Sequence, residues 1–421
     1  MTAVTEPPPR IASLDIVRGV AVMGILAMNI VAFAMPPEAY LNPLAYGVDS
    51  DADLASWAFS FVLVDGKMRG LFSFLFGASL LLVIDKAAAR GESPASIHFR
   101  RMLWLLLFGY LHFYFIWYGD ILTGYATIGL AAWFFRNQPP RRLIFWGGLF
   151  VLLQFLLFAG MAASFIHYAG AAAAPDASPE VVKQWTAMKR GFAVPTDAEL
   201  AETMALYAGG WFDHARHQLT EQRFEPLVML ALFGLETLGY MLLGMAALRN
   251  GFLTGGWPDA RYRRIALAGF AVAVPAYALL AAALWSDGFS VPMIVLLNLA
   301  GTVLLRPVMV IAYAALIIVL TRRGGALVER IAAAGHAAFT NYLGTSLMMT
   351  ALFHGWGLGW FGTLSRIELW LVVPAMWLLM LAWSKPWLDR FRYGPFEWLW
   401  RSLSRWRFEP MRKARPGAGA G

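Results

Sequence analysis

The chain has no cysteine, and only 14% of its residues are charged. The first absence excludes disulfide staples, thiolate nucleophiles and cysteine metal sites, although it does not identify a compartment. The second argues against a water-soluble globule, in which about a quarter of the residues carry charge. A third gap is regional. Residues 36–53 contain Glu38, Asp49, Asp51 and Asp53 but no Lys or Arg. No polar stretch is long enough to form a separate soluble domain. The first apolar run leads into that acidic segment and not into a small-residue cleavage site, so it reads as a span and not as a removable signal peptide.

Apolar sequence is abundant instead. Of the 421 residues, 59% are hydrophobic, and they recur in runs of about 17–25, the length that crosses about 30 Å of hydrocarbon. The expectation is an all-α polytopic transmembrane bundle of about ten spans, near 16–35, 66–84, 102–118, 120–136, 143–168, 227–248, 265–285, 290–320, 336–354 and 367–384. Alternate connections hold Lys86, Arg90, Arg100 and Arg101; Arg136, Arg141 and Arg142; Arg249, Arg261, Arg263 and Arg264; and Arg322, Arg323 and Arg330. By the positive-inside rule that side is cytoplasmic, and so are both termini. The chain divides into a membrane part over 1–169, an outer loop over 170–225, a second membrane part over 226–384 and a basic tail over 385–421. The net charge of +8 is mostly loop and tail charge. The tail, with Trp387, Trp398, Trp400 and Trp406, reads as an interfacial segment against anionic lipid of the bilayer. Nucleic acid is not an expected partner.

Ionisable groups deep in a span are costly and are functional candidates by default. His112 and Asp120 lie in GYLHFYFIWYGDILTGYATIG, which reads as a tight hairpin of two spans. Eight residues separate them, about 12 Å along a helix and about 80° around it, so they pair only if the first arm unwinds near Gly119. His112 then reads as a proton acceptor, with Asp120 orienting it or holding substrate; the plain alternative is a neutral histidine bonded to a backbone carbonyl. Arg18 pairs with Asp15 at i, i+3 and shares a helix face with Asn29 deeper in the span. Lys67 and Arg69, after a break at DGKMRG, face the outer end of the bundle, where two cations suit an anionic group. Glu236 lies mid-membrane. Arg306, before Pro307, needs a partner, which Glu236, Asp120 or a bound anion would supply. In the outer loop, DHARH places His214 and His217 at i, i+3. No third ligand is apparent, so the segment reads as a solvated face and no metal or resident cofactor is expected.

Several segments together resemble the YeiB-type (DUF418) family of bacterial inner-membrane proteins of unknown function. They are SLDIVRGVAVMGILAMNI, GKMRGLFSFLFGASLLL, GYLHFYFIWYGDILTGYATIGL, AGHAAFTNYLGTSLM and RYGPFEWLWRSL. His336 stands where that pattern leads one to expect Arg. The resemblance implies a multi-pass protein of the bacterial inner (plasma) membrane. The family is in turn similar, in its Leu-Asp…Arg-Gly start, to transmembrane acyltransferases of the heparan-glucosaminide and surface-polysaccharide types. In the polysaccharide enzymes a histidine follows the basic residue by eleven positions; here that position is Asn29. The implied reaction moves an acyl group from a cytoplasmic acyl-CoA-type donor to an outer-side acceptor. In that reading Arg18 is at the donor, His112 is the base, Asp120 orients it, and Arg306 with Asn29 faces developing negative charge. The same polar core also fits a proton-coupled transporter in which Lys67, Arg69 and Arg306 select a small anionic solute.

Overall fold

The structure, a computed structural model, describes residues 12–413. Residues 1–11 and 414–421, on which part of the expectation for the termini and the end of the basic tail rests, lie outside it. The described residues form helices and turns, with one isolated bridge between Phe391 and Arg412.

In chain order, α1 (Ala12–Ala34) is followed by α2 (Asp51–Leu63) and α3 (Lys67–Ala89). These last two run on as a single 39-residue apolar rod, interrupted at Val64–Gly66, beside the break expected at DGKMRG. The hairpin is α4 (Pro94–Phe115) and α5 (Leu122–Ala132). After α6 (Pro140–Ala172), the outer segment folds as α7 (Pro179–Met188), α8 (Asp197–Ala208) and α9 (Trp211–Thr220). Then come α10 (Glu225–Arg249), α11 (Asp259–Asp287), α12 (Val291–Val303) and α13 (Arg306–Thr321). The chain closes with α14 (Ala326–His336), α15 (Ala338–Phe353), α16 (Arg366–Arg390) and α17 (Pro395–Arg405).

Six of these stretches are long and apolar enough to cross a membrane, and α12 with α13, bent by 49°, makes a seventh if the pair is one span. Against the ten spans expected, α4, α5 and α15 fall short. At 1.5 Å per residue, α5 and α15 are shorter than about 30 Å of hydrocarbon, and α4 carries His98, Arg100 and Arg101 in its first turns. The bend falls just before Pro307, inside the single span expected over 290–320. Pro307 instead occupies the first turn of α13, where its missing N–H costs no helical bond.

Apolar all round, α1 is buried on nearly every face, as a central helix should be. By contrast α6 exposes Leu152 and Leu156, α11 exposes Leu267 and Leu279, and α16 exposes Leu371 and Leu378. Leucine-lined outer faces with a polar interior are the pattern of a multi-pass membrane protein. The inner crossing of α3 and α10 depends on glycine. A Cβ on Gly77 would collide with the Met241 carbonyl, and one on Gly244 with the Phe74 carbonyl, so α3 and α10 touch backbone to backbone.

Two of the C-terminal motifs meet. Glu397 of GPFEWLWR accepts hydrogen bonds from Phe339 N at 2.6 Å, Thr340 N at 3.1 Å and Thr340 Oγ1 at 2.6 Å, capping the start of α15. The tail is thereby docked on the bundle. Trp387 and Trp398 donate their ring N–H to protein carbonyls within it and Trp400 to Arg101, while Trp406 is exposed.

Candidate functional site

The hairpin turn builds one polar site. Helix α4 stops because Ile116 N and Trp117 N both donate to the His112 carbonyl, and the chain then swings back through Gly119. Asp120 faces the start of α5, where its Oδ2 accepts from Thr123 N at 2.8 Å and Thr123 Oγ1 at 2.7 Å. Its Oδ1 lies 3.0 Å from His112 Nδ1, and both side chains are buried. A carboxylate only accepts hydrogen bonds, so in the neutral imidazole the proton sits on Nδ1 and Nε2 carries the lone pair. Nε2 is buried and has no hydrogen-bond partner among the described residues. The ring is walled by Tyr342 at 5.2 Å and Trp117 at 6.4 Å between centroids. Tyr342 is itself fixed by the Ile121 N–H, 3.2 Å from its hydroxyl. Such an imidazole can accept a proton from a hydroxyl or amine at Nε2 while its other nitrogen is held.

A second polar cluster centres on Glu236. Arg69 Nη2 donates to its Oε2 at 2.7 Å, Arg306 Nη1 to its Oε1 at 2.5 Å and Tyr240 to the same Oε1 at 2.9 Å. Arg306 also donates to Thr302 Oγ1 at 2.6 Å. Gln154, fully buried on α6, donates to the Leu232 carbonyl and accepts from Glu236 N. Of the partners considered for Arg306, the structure supplies Glu236. Gly66, at φ +69°, permits this packing, because a Cβ there would press into the Arg306 guanidinium.

The structure thus brings His112 to Asp120, and Arg69 to Glu236 and Arg306, as two separate groups. Lys67 and Arg69 do not converge on a common point. Lys67 is fully buried, donates to the Phe61 carbonyl and sits 3.4 Å above the Tyr277 ring. Arg18 forms the i, i+3 pair with Asp15 at 3.0 Å and donates to Ser79 at 2.8 Å. Asn29 is buried without a hydrogen-bond partner among the described residues, one turn before the Phe33 ring that stacks on Trp117 at 3.8 Å. His336 ends α14, edge-on to Tyr393.

Sequence reading missed Thr123, Tyr342, Gln154 and a histidine pair. The spacing Asp120-x-x-Thr123 is a helix-start signal; nothing in the sequence marks Tyr342 or Gln154 as their neighbours. The expected solvated face of DHARH is corrected for His214, which is 4% exposed against His354, with ring centroids 5.0 Å apart. Helix α9 lays that residue inward, onto Tyr207 and the turn after α15. No group of three or more His, Asp or Glu placed to hold a metal occurs among the described residues.

Residues 247–407 match the model of a family described as a protein of unknown function, DUF418. The chain is 33% identical over 407 residues to the uncharacterized protein YeiB of Escherichia coli (strain K12), covering 94% of this chain and 96% of that one. It is 30% identical over 426 residues to the uncharacterized protein YxaH of Bacillus subtilis (strain 168), covering 96% of each. A 143-residue stretch is 34% identical to an uncharacterized 39.9 kDa protein of Bacillus acidopullulyticus, covering 34% of this chain and 39% of that one. No solved structure matches. The matched family region contains Arg306, Tyr342, Glu397 and Trp400, and the hairpin lies before it.

Proposed function

The chain belongs to the DUF418 family of proteins of unknown function, and from that premise and the hairpin geometry we propose that it is a membrane-embedded acyltransferase-like enzyme of the bacterial inner membrane. One observation carries this reading: a buried imidazole whose Nδ1 is tied to a carboxylate and whose Nε2 is left without a partner. That is the arrangement of a general base. The donor is an acyl thioester of the acyl-CoA type, approaching from the cytoplasmic end near Arg18, and the acceptor hydroxyl or amine comes from the outer side. The acceptor oxygen or nitrogen attacks the thioester carbonyl as Nε2 removes its proton. The tetrahedral intermediate expels the thiolate, which takes that proton back from the imidazolium. Asp120 is a positioning residue. Asn29, on the α1 face that meets Trp117, supplies an amide donor toward the developing oxyanion.

Arg69 and Arg306 both direct their guanidiniums to Glu236, which leaves an anion-selecting transport path without those two charges and favours the enzyme reading. Their role in this proposal is to lock α3, α10 and α13 together. The orientation follows the arginine-bearing loops, which face the cytoplasm. The test uses purified protein in proteoliposomes with labelled acyl-CoA and a panel of outer hydroxyl and amine acceptors. Transfer in the wild type and none in a folded His112→Ala variant is the expected result. Undiminished transfer in that variant, or solute flux without chemical change, overturns the reading.

A further inference from the structure

A second unsatisfied group lies where α17 docks on the start of α4. Trp400 donates its ring N–H to the Arg101 carbonyl at 2.8 Å, and the Arg101 guanidinium lies 3.9 Å from the Trp400 ring. Among the described residues, buried Arg101 Nε has no hydrogen-bond partner and no carboxylate forms an ion pair with Arg101. Its neighbours are differently placed. Arg18 is paired with Asp15 at 3.0 Å; Arg405 is paired with Glu92 at 3.5 Å and Glu409 at 3.0 Å; Arg401 lies over the Tyr393 ring at 4.6 Å. Burial, together with repulsion from Arg401, Arg405 and Arg18, pulls the Arg101 pKa down to about 9.

Arg101 thus feels the charges of Arg18, Arg401 and Arg405 from two other stretches of chain, and no carboxylate among the described residues pairs with it. Like charges brought together and partly desolvated oppose docking of α17 unless an anion joins them. A planar guanidinium backed by an indole is a recognition set for phosphate oxygens, which it meets through parallel hydrogen bonds.

We propose that Arg101, backed by Trp400, binds the phosphate of a ligand at this end of the bundle. In naming the donor as one source of that phosphate the proposal rests on the acyl-transfer reading, because a CoA-type thioester carries phosphates. A phospholipid headgroup offers the same chemistry.

The experiment compares wild type, Arg101→Gln and Arg101→Lys as full chains. Thermal unfolding in detergent is followed with coenzyme A, with inorganic pyrophosphate and with chloride at matched ionic strength. Native mass spectrometry follows retention of phosphatidylglycerol against phosphatidylcholine. A rise in unfolding midpoint with coenzyme A, lost in Arg101→Gln and with affinity weakened about tenfold in Arg101→Lys, assigns a soluble phosphoester. Retention of phosphatidylglycerol that fails in Arg101→Gln, with no effect of soluble phosphates, assigns a lipid. Neither response in wild type overturns the site, and so does an equal response in all three proteins. If Arg101→Gln does not fold, Arg101→Lys against wild type decides. Acyl transfer measured on the same wild-type protein separates the two ideas. Phosphate bound normally without any acyl transfer in the wild type refutes the enzyme and keeps the site; transfer without phosphate binding refutes the site and keeps the enzyme.

Discussion

His112 and Asp120 stand eight positions apart, yet Nδ1 of one lies 3.0 Å from Oδ1 of the other. On an unbroken helix that spacing is about 12 Å of rise, so the pair exists because α4 ends one turn after His112 and the chain folds back. Asp120 is held from its other side by Thr123, whose N–H and hydroxyl both reach Oδ2. The carboxylate has little freedom to turn, and the imidazole inherits that rigidity.

Asp120→Asn tests the consequence. The Asn carbonyl satisfies the Thr123 N–H, which leaves the amide NH2 pointing at His112 Nδ1. That nitrogen must then accept, so the proton moves to Nε2 and the base is lost. Acyl transfer is expected to fall by about 10²–10⁴-fold in kcat with KM little changed, while Asp120→Glu recovers part of it. A kcat equal to wild type in a folded Asp120→Asn protein would remove the positioning role.

Glu236 balances two arginines, and the variants around it should differ in order. Glu236→Ala leaves Arg69 and Arg306 buried without their counter-charge, a loss of about 3–5 kcal/mol. Arg306→Met leaves the Arg69–Glu236 pair intact at 2.7 Å and should cost less. Thermal unfolding in detergent is the measurement. An Arg306→Met protein less stable than Glu236→Ala would show that the cluster is not organised around the carboxylate.

Helix α10 crosses α3 at a distance only glycine permits. Gly244→Ala places a methyl against the Phe74 carbonyl and must push the helices apart or strain the crossing, since backbone cannot yield as a side-chain tip does. A loss of about 1–3 kcal/mol is expected, whereas Gly148→Ala, with open space around its Cβ position, should be neutral. Equal unfolding midpoints for both variants would contradict the close crossing.

The apolar runs and their lengths made the helical membrane architecture legible, because burying or exposing leucine is a local property that composition reports. Pro307 marked the break between α12 and α13 for the same reason. Three things stayed hidden. Lys67 and Arg69, two positions apart, looked like a joint anion site, but a helix turns about 200° over two residues and sends them to different partners. The DHARH segment looked solvated because its burying partners, Tyr207 and His354, come from other helices. Arg101 looked like one more topological charge; its isolation depends on α17, folded back from 299 residues away.

The outer helix α9 should respond to acid. Trp211 fastens it by donating to the Phe115 carbonyl at 2.7 Å, and His214 is buried beneath it against His354 and Tyr207. Burial, with a smaller push from His217, lowers the His214 pKa from 6.5 to about 4. Because the docked value is depressed, the undocked helix takes the proton first. Docking is at full strength above about pH 6.5, weakens as pH falls, and levels off below about pH 4. The window corresponds to about 3 kcal/mol. Hydrogen exchange of residues 211–220, corrected for intrinsic rates, should lose about a hundredfold in protection between pH 7 and 4.5. His354, packed against His214, has its pKa lowered to about 3 by the same burial and titrates in the same sense. The paired His214→Phe, His354→Phe variant therefore keeps both rings and removes this titration, and its protection should fall much less over the same range. Equal acid sensitivity in the two proteins would mean that the histidines pack the outer segment without governing it.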